Sequence, residues 1–165
     1  MPTIAIVGAG SSLGLSIAKV FGRHGFDVAL VSRSQENLNA TGAQLGEENI
    51  AWAGFPGHVS NRTSLMTALA RAAERFGGID VLEFSPAARK SGVATADPLG
   101  VTVENMQPHI EYYLYGGIAA AQAVLPEMVE AGVGTLLFTQ GGASLNSVPM
   151  YANINPAQAA LRSWF

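Results

Sequence analysis

The sequence contains no cysteine. That excludes a disulfide framework, a thiolate nucleophile and any thiolate-ligated metal. Charge is scarce as well: 13% of residues are charged, and the formal net charge is -3. No basic run occurs, so nothing favours nucleic acid or an anionic membrane surface. Long hydrophobic stretches are missing too. Gly, Pro or a charged residue breaks each apolar segment before the roughly 18 residues that a membrane-spanning helix needs. The opening MPTIAIVGAG lacks the basic start and extended apolar core of a signal peptide, and it reads as a first strand. A cytoplasmic location is the expectation, with no metal ligand set assigned.

What remains is apolar and rich in glycine: 48% hydrophobic, with 19 glycines in 165 residues. That length suits one domain, 1–165, around one sizeable core. An apolar composition without membrane spans fits a parallel sheet, whose strands are covered on both faces. The pattern predicts strands at 3–7, 27–31, 49–53, 79–84 and 135–139. Between them it predicts helices at 12–25, 35–45, 62–76 and 103–130, with Ser34 capping the second. Pro108 belongs near the start of the long helix or kinks it, and Pro126 belongs near its end. Loops fill 85–102 and 140–150, and a last helix begins near Tyr151 or Asn155. Strict alternation of strand and helix implies right-handed crossovers and a three-layer α/β/α, doubly wound parallel sheet of Rossmann type.

The first strand runs into Gly8-Ala9-Gly10-Ser11-Ser12-Leu13-Gly14. Gly8 permits the sharp turn into a helix. The backbone N–H groups of Gly10, Ser11, Ser12 and Leu13 then approach a pyrophosphate unobstructed, and Gly14 lets helix and sheet pack closely. Position at the end of a first strand is what separates this run from an ordinary tight turn. The second strand ends in Ser32-Arg33, where an NAD site offers a carboxylate to the ribose 2′-hydroxyl. A guanidinium instead pairs with a 2′-phosphate. NADP(H) is therefore the expected cofactor, against the alternative that Arg33 is a solvated surface residue.

These motifs resemble the short-chain dehydrogenase/reductase family over essentially the whole chain. The T-G-x-x-x-G-x-G pattern falls on Val7, Gly8, Ser12 and Gly14, with Ser12 in the middle glycine's place. Asp-Val after the third strand becomes His58-Val59. Asp80-Val81-Leu82 leads into Phe84-Ser85-Pro86-Ala87, where the family reads Asn-Asn-Ala-Gly. Leu125-Pro126-Glu127-Met128 closes the long helix in a common family manner. Gly134-Thr135-Leu136-Leu137-Phe138-Thr139 follows the family's fifth strand. The resemblance implies an oxidoreductase acting on a carbonyl or alcohol, with His58, Val59, Ser85 and Pro86 joining the cofactor contacts.

The family's catalytic Asn, Ser, Tyr and Lys fall on or near Tyr113, Gly141, Ile154 and Gln158 when the last helix is aligned through Gln158-Ala159-Ala160-Leu161. A rival register keeps Tyr151 as the tyrosine and still lacks the lysine. Tyr151 is then the surviving candidate proton donor. The alternative functions are a non-catalytic NADP(H)-binding module and an inactive fragment of a longer oxidoreductase.

Several residues stand outside the motifs. His109 and Tyr113, four apart on the long helix, suit either a proton relay or packing at an interface. His58 suits an adenine contact or a plain loop position. Glu83 lies within an apolar strand, and burial there demands a partner. The chain stops within its last helix, leaving Leu161, Trp164 and Phe165 without later chain to cover them. With Tyr112, Tyr113 and Tyr115 on the long helix, this predicts exposed apolar faces. It also predicts a homo-oligomer through that helix, or a domain truncated after its fifth strand and incomplete at its C-terminus.

Overall fold

A computed structural model describes residues 1–86 and 94–165. Ala87 and part of the loop that follows the fourth strand lie outside the described residues. The strands are β1 (Thr3–Val7), β2 (Asp27–Ser32), β3 (Trp52–Pro56), β4 (Val81–Phe84) and β5 (Thr135–Phe138). They form one parallel sheet in the order β3-β2-β1-β4-β5. The helices are α1 (Leu13–Arg23), α2 (Gln35–Gly46), α3 (Arg62–Phe76), α4 (Val103–His109), α5 (Gly116–Ala131) and α6 (Asn155–Trp164).

Side chains alternate across a strand, so each inner strand feeds two cores. Ile4 and Ile6 of β1, with Val28 and Leu30 of β2, pack against Ala18 of α1 and Leu38 of α2. Ala5 and Val7, with Ala29 and Val31, pack on the opposite face with Leu65 of α3 and Val124 of α5. That is the three-layer arrangement the alternation predicts. The caps agree with the sequence at α2, where the Ser34 side chain accepts from Asn37 N–H at 3.3 Å. Among the described residues, no helix is long and apolar enough to cross a membrane.

The differences from expectation have local causes. The third strand begins at Trp52 because residues 47–49 form a turn after α2, with Asn49 at φ 58°. It runs on to Pro56, a residue without an N–H that an edge strand tolerates. The fourth strand starts two residues late, since Asp80 turns its carboxylate to the Thr3 N–H at 2.7 Å.

The long helix is three segments rather than one. Pro108 sits inside α4, and a π-helical turn, Ile110–Tyr115, follows at once before α5 resumes. A wide turn fits the lost N–H of proline. It also carries Tyr112 and Tyr113, neighbours in sequence, both into the core at 4% exposure each. The expected aromatic face is thus internal: of the three tyrosines only Tyr115 is exposed, with the Arg62 guanidinium over its ring. Of the two starts for the last helix, Asn155 is the one found, and Tyr151 belongs to a short 3₁₀ turn, Pro149–Tyr151. Leu161 is buried and fills the space that Gly117 leaves. The Trp164 and Phe165 rings lie 6.5 and 4.5 Å from that of Phe138. Leu161 is thus covered from within the chain, contrary to expectation, whereas Trp164 and Phe165 remain 41% and 58% exposed.

Candidate functional site

A cleft of about 890 Å³ opens at the carboxyl ends of the strands, where the strand order switches from one side of β1 to the other. That volume and that place suit a small-molecule ligand in an open α/β sheet. All twelve residues expected to contact a cofactor line it: Gly8, Gly10, Ser11, Ser12, Leu13, Gly14, Ser32, Arg33, His58, Val59, Ser85 and Pro86.

The glycine loop forms one wall. Gly8 adopts φ +97°, and the N–H groups of Gly8 and Ala9 both donate to the Val31 carbonyl, at 2.9 and 3.1 Å. A Cβ on Gly8 would stand 2.7 Å from the Ser85 carbonyl oxygen, and one on Gly14 would stand 2.9 Å from Ala9 Cα. A Cβ on Gly10 would meet only the Gly8 carbonyl oxygen, at an unstrained 3.7 Å, among the described residues. Among the described residues no side chain caps α1; the Leu15 N–H donates to the Gly10 carbonyl at 2.9 Å, and those of Leu13 and Gly14 stand ahead of it at a positive dipole end.

Arg33 lies at the tip of β2, close enough for its charge to act on Tyr112 from the π turn. Burial pushes the Tyr112 phenol up, and Arg33 pulls against that shift. His58 follows β3. Its Nδ1 accepts the Ser60 N–H at 3.2 Å. Val59 is buried against Gly116.

The opposite end of the cleft is built by Tyr113, Thr139, Gln140, Gly141 and Gln158. A Cβ on Gly141 would stand 3.3 Å from the Gln158 side-chain oxygen, so the loop after β5 and α6 meet as the first register requires. Ile154 is buried in the core. Tyr151 is not among the lining residues. Its turn leaves it 37% exposed. Sequence reasoning did not single out Thr139 or Gln140 as cleft residues. The only hint was their place directly after a strand end.

This end holds polar groups without hydrogen-bond partners. Among the described residues, both ends of the Gln140 amide and both ring nitrogens of His109 are buried without a bonded partner, and the Tyr113 hydroxyl is buried beside the Gln158 amide. His109 stacks on Tyr113 with centroids 6.4 Å apart. Burial holds the imidazole neutral by pushing it down. Burial first, and Tyr112 second, push the Tyr113 phenol well up, and Gln158 acts in the other direction. Tyr113 therefore keeps its proton and stands ready as a donor.

Glu83 has the partners its burial demands. The Ser85 hydroxyl donates to Oε2 at 2.7 Å and the Thr139 hydroxyl to Oε1 at 2.8 Å. Burial still raises the carboxyl, against both of those bonds.

Comparison with known proteins accounts for this geometry. A D-threitol dehydrogenase of Mycolicibacterium smegmatis is 32% identical over 133 residues, 80% of this chain and 49% of that protein. An oxidoreductase of Sarocladium schorii is 30% identical over 98% of this chain and 62% of its own length. The chain thus spans about half to three-fifths of the curated relatives it matches. Among solved structures, actinorhodin polyketide ketoreductase with NADPH superposes at TM-score 0.90 and 22% identity, over 99% of this chain and 62% of that one. An NAD⁺-bound xylitol dehydrogenase also superposes at 0.90, with 19% identity over the same shares. These two likenesses speak for the fold. The sequence model of the family described as short chain dehydrogenase matches residues 2–165, nearly the whole chain. The sheet order, the glycine turn and this match agree: the chain belongs to the short-chain dehydrogenase family.

Proposed function

We propose that the cleft binds NADP(H) and that the chain is the nucleotide-binding part of an oxidoreductase acting on an alcohol or its carbonyl. The observation that carries this is the pairing of two features on one cleft: the uncapped start of α1 beside Gly10, and Arg33 at the tip of β2. The first suits a pyrophosphate. The second suits a 2′-phosphate, which a carboxylate in that place would repel. The name of one relative supports the substrate class, since threitol is an alcohol. The cofactor preference is argued from Arg33 alone, because the neighbours include both NADPH and NAD⁺ complexes.

The nicotinamide ring supplies hydride chemistry when bound. The chain's own residues bind and orient it. The glycine loop and α1 hold phosphate through backbone N–H groups, and Arg33 holds the 2′-phosphate. His58 and Val59 border the adenosine end. At the other end the Gln140 amide, without a bonded partner among the described residues, suits a polar group of the ligand.

Fluorescence titration with NADPH and NADH tests the proposal. NADPH binds more tightly, and Arg33→Ala weakens NADPH by about 1.5–3 kcal/mol, the range for a hydrogen bond to a charged group. NADH binding changes little. Equal affinity of the unaltered protein for both nucleotides overturns the preference.

A further inference from the structure

Glu83 is 1% exposed, and both of its oxygens are occupied by hydroxyl protons from Ser85 and Thr139. A hydroxyl carries a single proton and two lone pairs. Once that proton is given to a carboxylate, the group shows only lone pairs to anything else. Ser85 and Thr139 both line the cleft, at the tips of β4 and β5. The Ser85 carbonyl packs against Gly8, so the pair stands beside the glycine loop.

We propose that Glu83 is a positioning residue that fixes Ser85 and Thr139 as hydrogen-bond acceptors on the cleft floor, there to receive the sugar hydroxyls of a bound dinucleotide. This rests on the NADP(H) reading above. The cleft then has two polarities. Backbone N–H groups at the start of α1 offer only protons, which suits phosphate oxygens. The Ser85 and Thr139 oxygens offer only lone pairs, which repel phosphate and suit a hydroxyl donor. In a dinucleotide the ribose joins the pyrophosphate directly, whereas the carboxamide sits at the far edge of the ring. Adjacency to the glycine loop therefore favours the ribose.

The discriminating variant is Glu83→Gln, which keeps shape and size. Its oxygen still accepts one hydroxyl. Its amide N–H must donate to the other, which turns that hydroxyl's proton into the cleft. One acceptor becomes a donor, and the ribose loses its partner.

The experiment measures NADPH affinity by fluorescence, pyrophosphate affinity by calorimetry, and the urea midpoint. Expected for Glu83→Gln is an NADPH affinity about 3- to 10-fold weaker, from one hydrogen bond. Pyrophosphate affinity and urea midpoint stay as in the unaltered protein. Thr139→Val weakens NADPH by a similar factor, and Thr139→Ser, which keeps the hydroxyl, restores it. Unchanged NADPH affinity in Glu83→Gln overturns the inference. So does a parallel loss of NADPH, pyrophosphate and stability, which marks a merely structural carboxylate. If Glu83→Gln does not fold, the Thr139 pair decides, and equal affinity in Val and Ser variants overturns the inference. An unaltered protein that does not bind NADPH at all overturns the proposed function, and this inference with it.

Discussion

Gly8 and Gly10 lie two residues apart in one loop, yet alanine at each has a different consequence. At Gly8 the backbone sits at φ +97°, which costs an L-residue about 1–2 kcal/mol. The new Cβ also lies 2.7 Å from the Ser85 oxygen and 2.8 Å from Pro86 N and Cα. These are backbone atoms that cannot rotate aside, so overpacking adds about 1–3 kcal/mol. Gly8→Ala should therefore cost about 2–5 kcal/mol, a large part of the 5–15 kcal/mol typical of a native domain. Gly10 has no left-handed φ, and its Cβ would meet nothing nearer than 3.7 Å. Gly10→Ala should leave stability within about 0.5 kcal/mol. Its methyl nonetheless occupies the cleft side of the loop, where phosphate must approach the backbone. Losing one charge-assisted bond there weakens NADPH about 10- to 150-fold, the equivalent of 1.5–3 kcal/mol. Urea unfolding and NADPH titration on both variants separate the effects. A Gly10→Ala protein that binds NADPH normally, or that unfolds as early as Gly8→Ala, would refute the reasoning.

Leu161→Ala should lower stability by about 2–5 kcal/mol, because a fully buried side chain seated over Gly117 leaves a cavity; thermal or urea melts read the loss. A melt unchanged from the parent protein would show that α6 does not contribute to the core. Glu48 bonds to Arg23 and Lys19, each at 2.8 Å, and the Arg23 bond, then the Lys19 bond, hold its carboxyl down at about 2 against an ordinary 4.5. A lowered folded-state value stabilises above about 4.5, and that contribution fades as pH falls from there to about 2. Glu48→Gln should therefore unfold at slightly lower urea at neutral pH, by a small amount for so exposed a cluster. The two midpoints should converge as pH falls through that window, and a gap that widens instead would contradict the assignment.

The sheet and its crossovers were legible because the signals are local. Apolar runs ending in glycine mark strands, and a glycine turn behind the first strand marks the cleft. The third strand was misplaced because its edge position tolerates Gly54 and Pro56, residues that otherwise read as a turn. The π turn was not legible, since Ile110–Tyr115 has the composition of an ordinary helix and only its packing reveals the extra residue. Half of the Glu83 arrangement was within reach. Ser85 lies two residues on, hence on the same side of the strand. Thr139 lies 56 residues away, and only pairing of β4 with β5 brings it near. The unbonded Gln140 amide was hidden for the same reason, since orphaned groups depend on every surrounding element at once.

The central place of β1 has a consequence for how the chain is made. β1 is the earliest strand in sequence, and β4, which covers one of its two sides, comes far later: the Thr3 N–H finds its Asp80 partner 77 residues on. At synthesis rates of about 5–20 residues per second, that interval lasts roughly 4–15 s. Throughout it, β1 carries four of the most buried side chains in the molecule beside an unpaired backbone edge. Pairing with β2 closes only one side. A nascent chain of this topology therefore passes through a window in which its best template for aggregation is already formed and its natural partner is not yet translated. Slow codons between β1 and β4 lengthen that window.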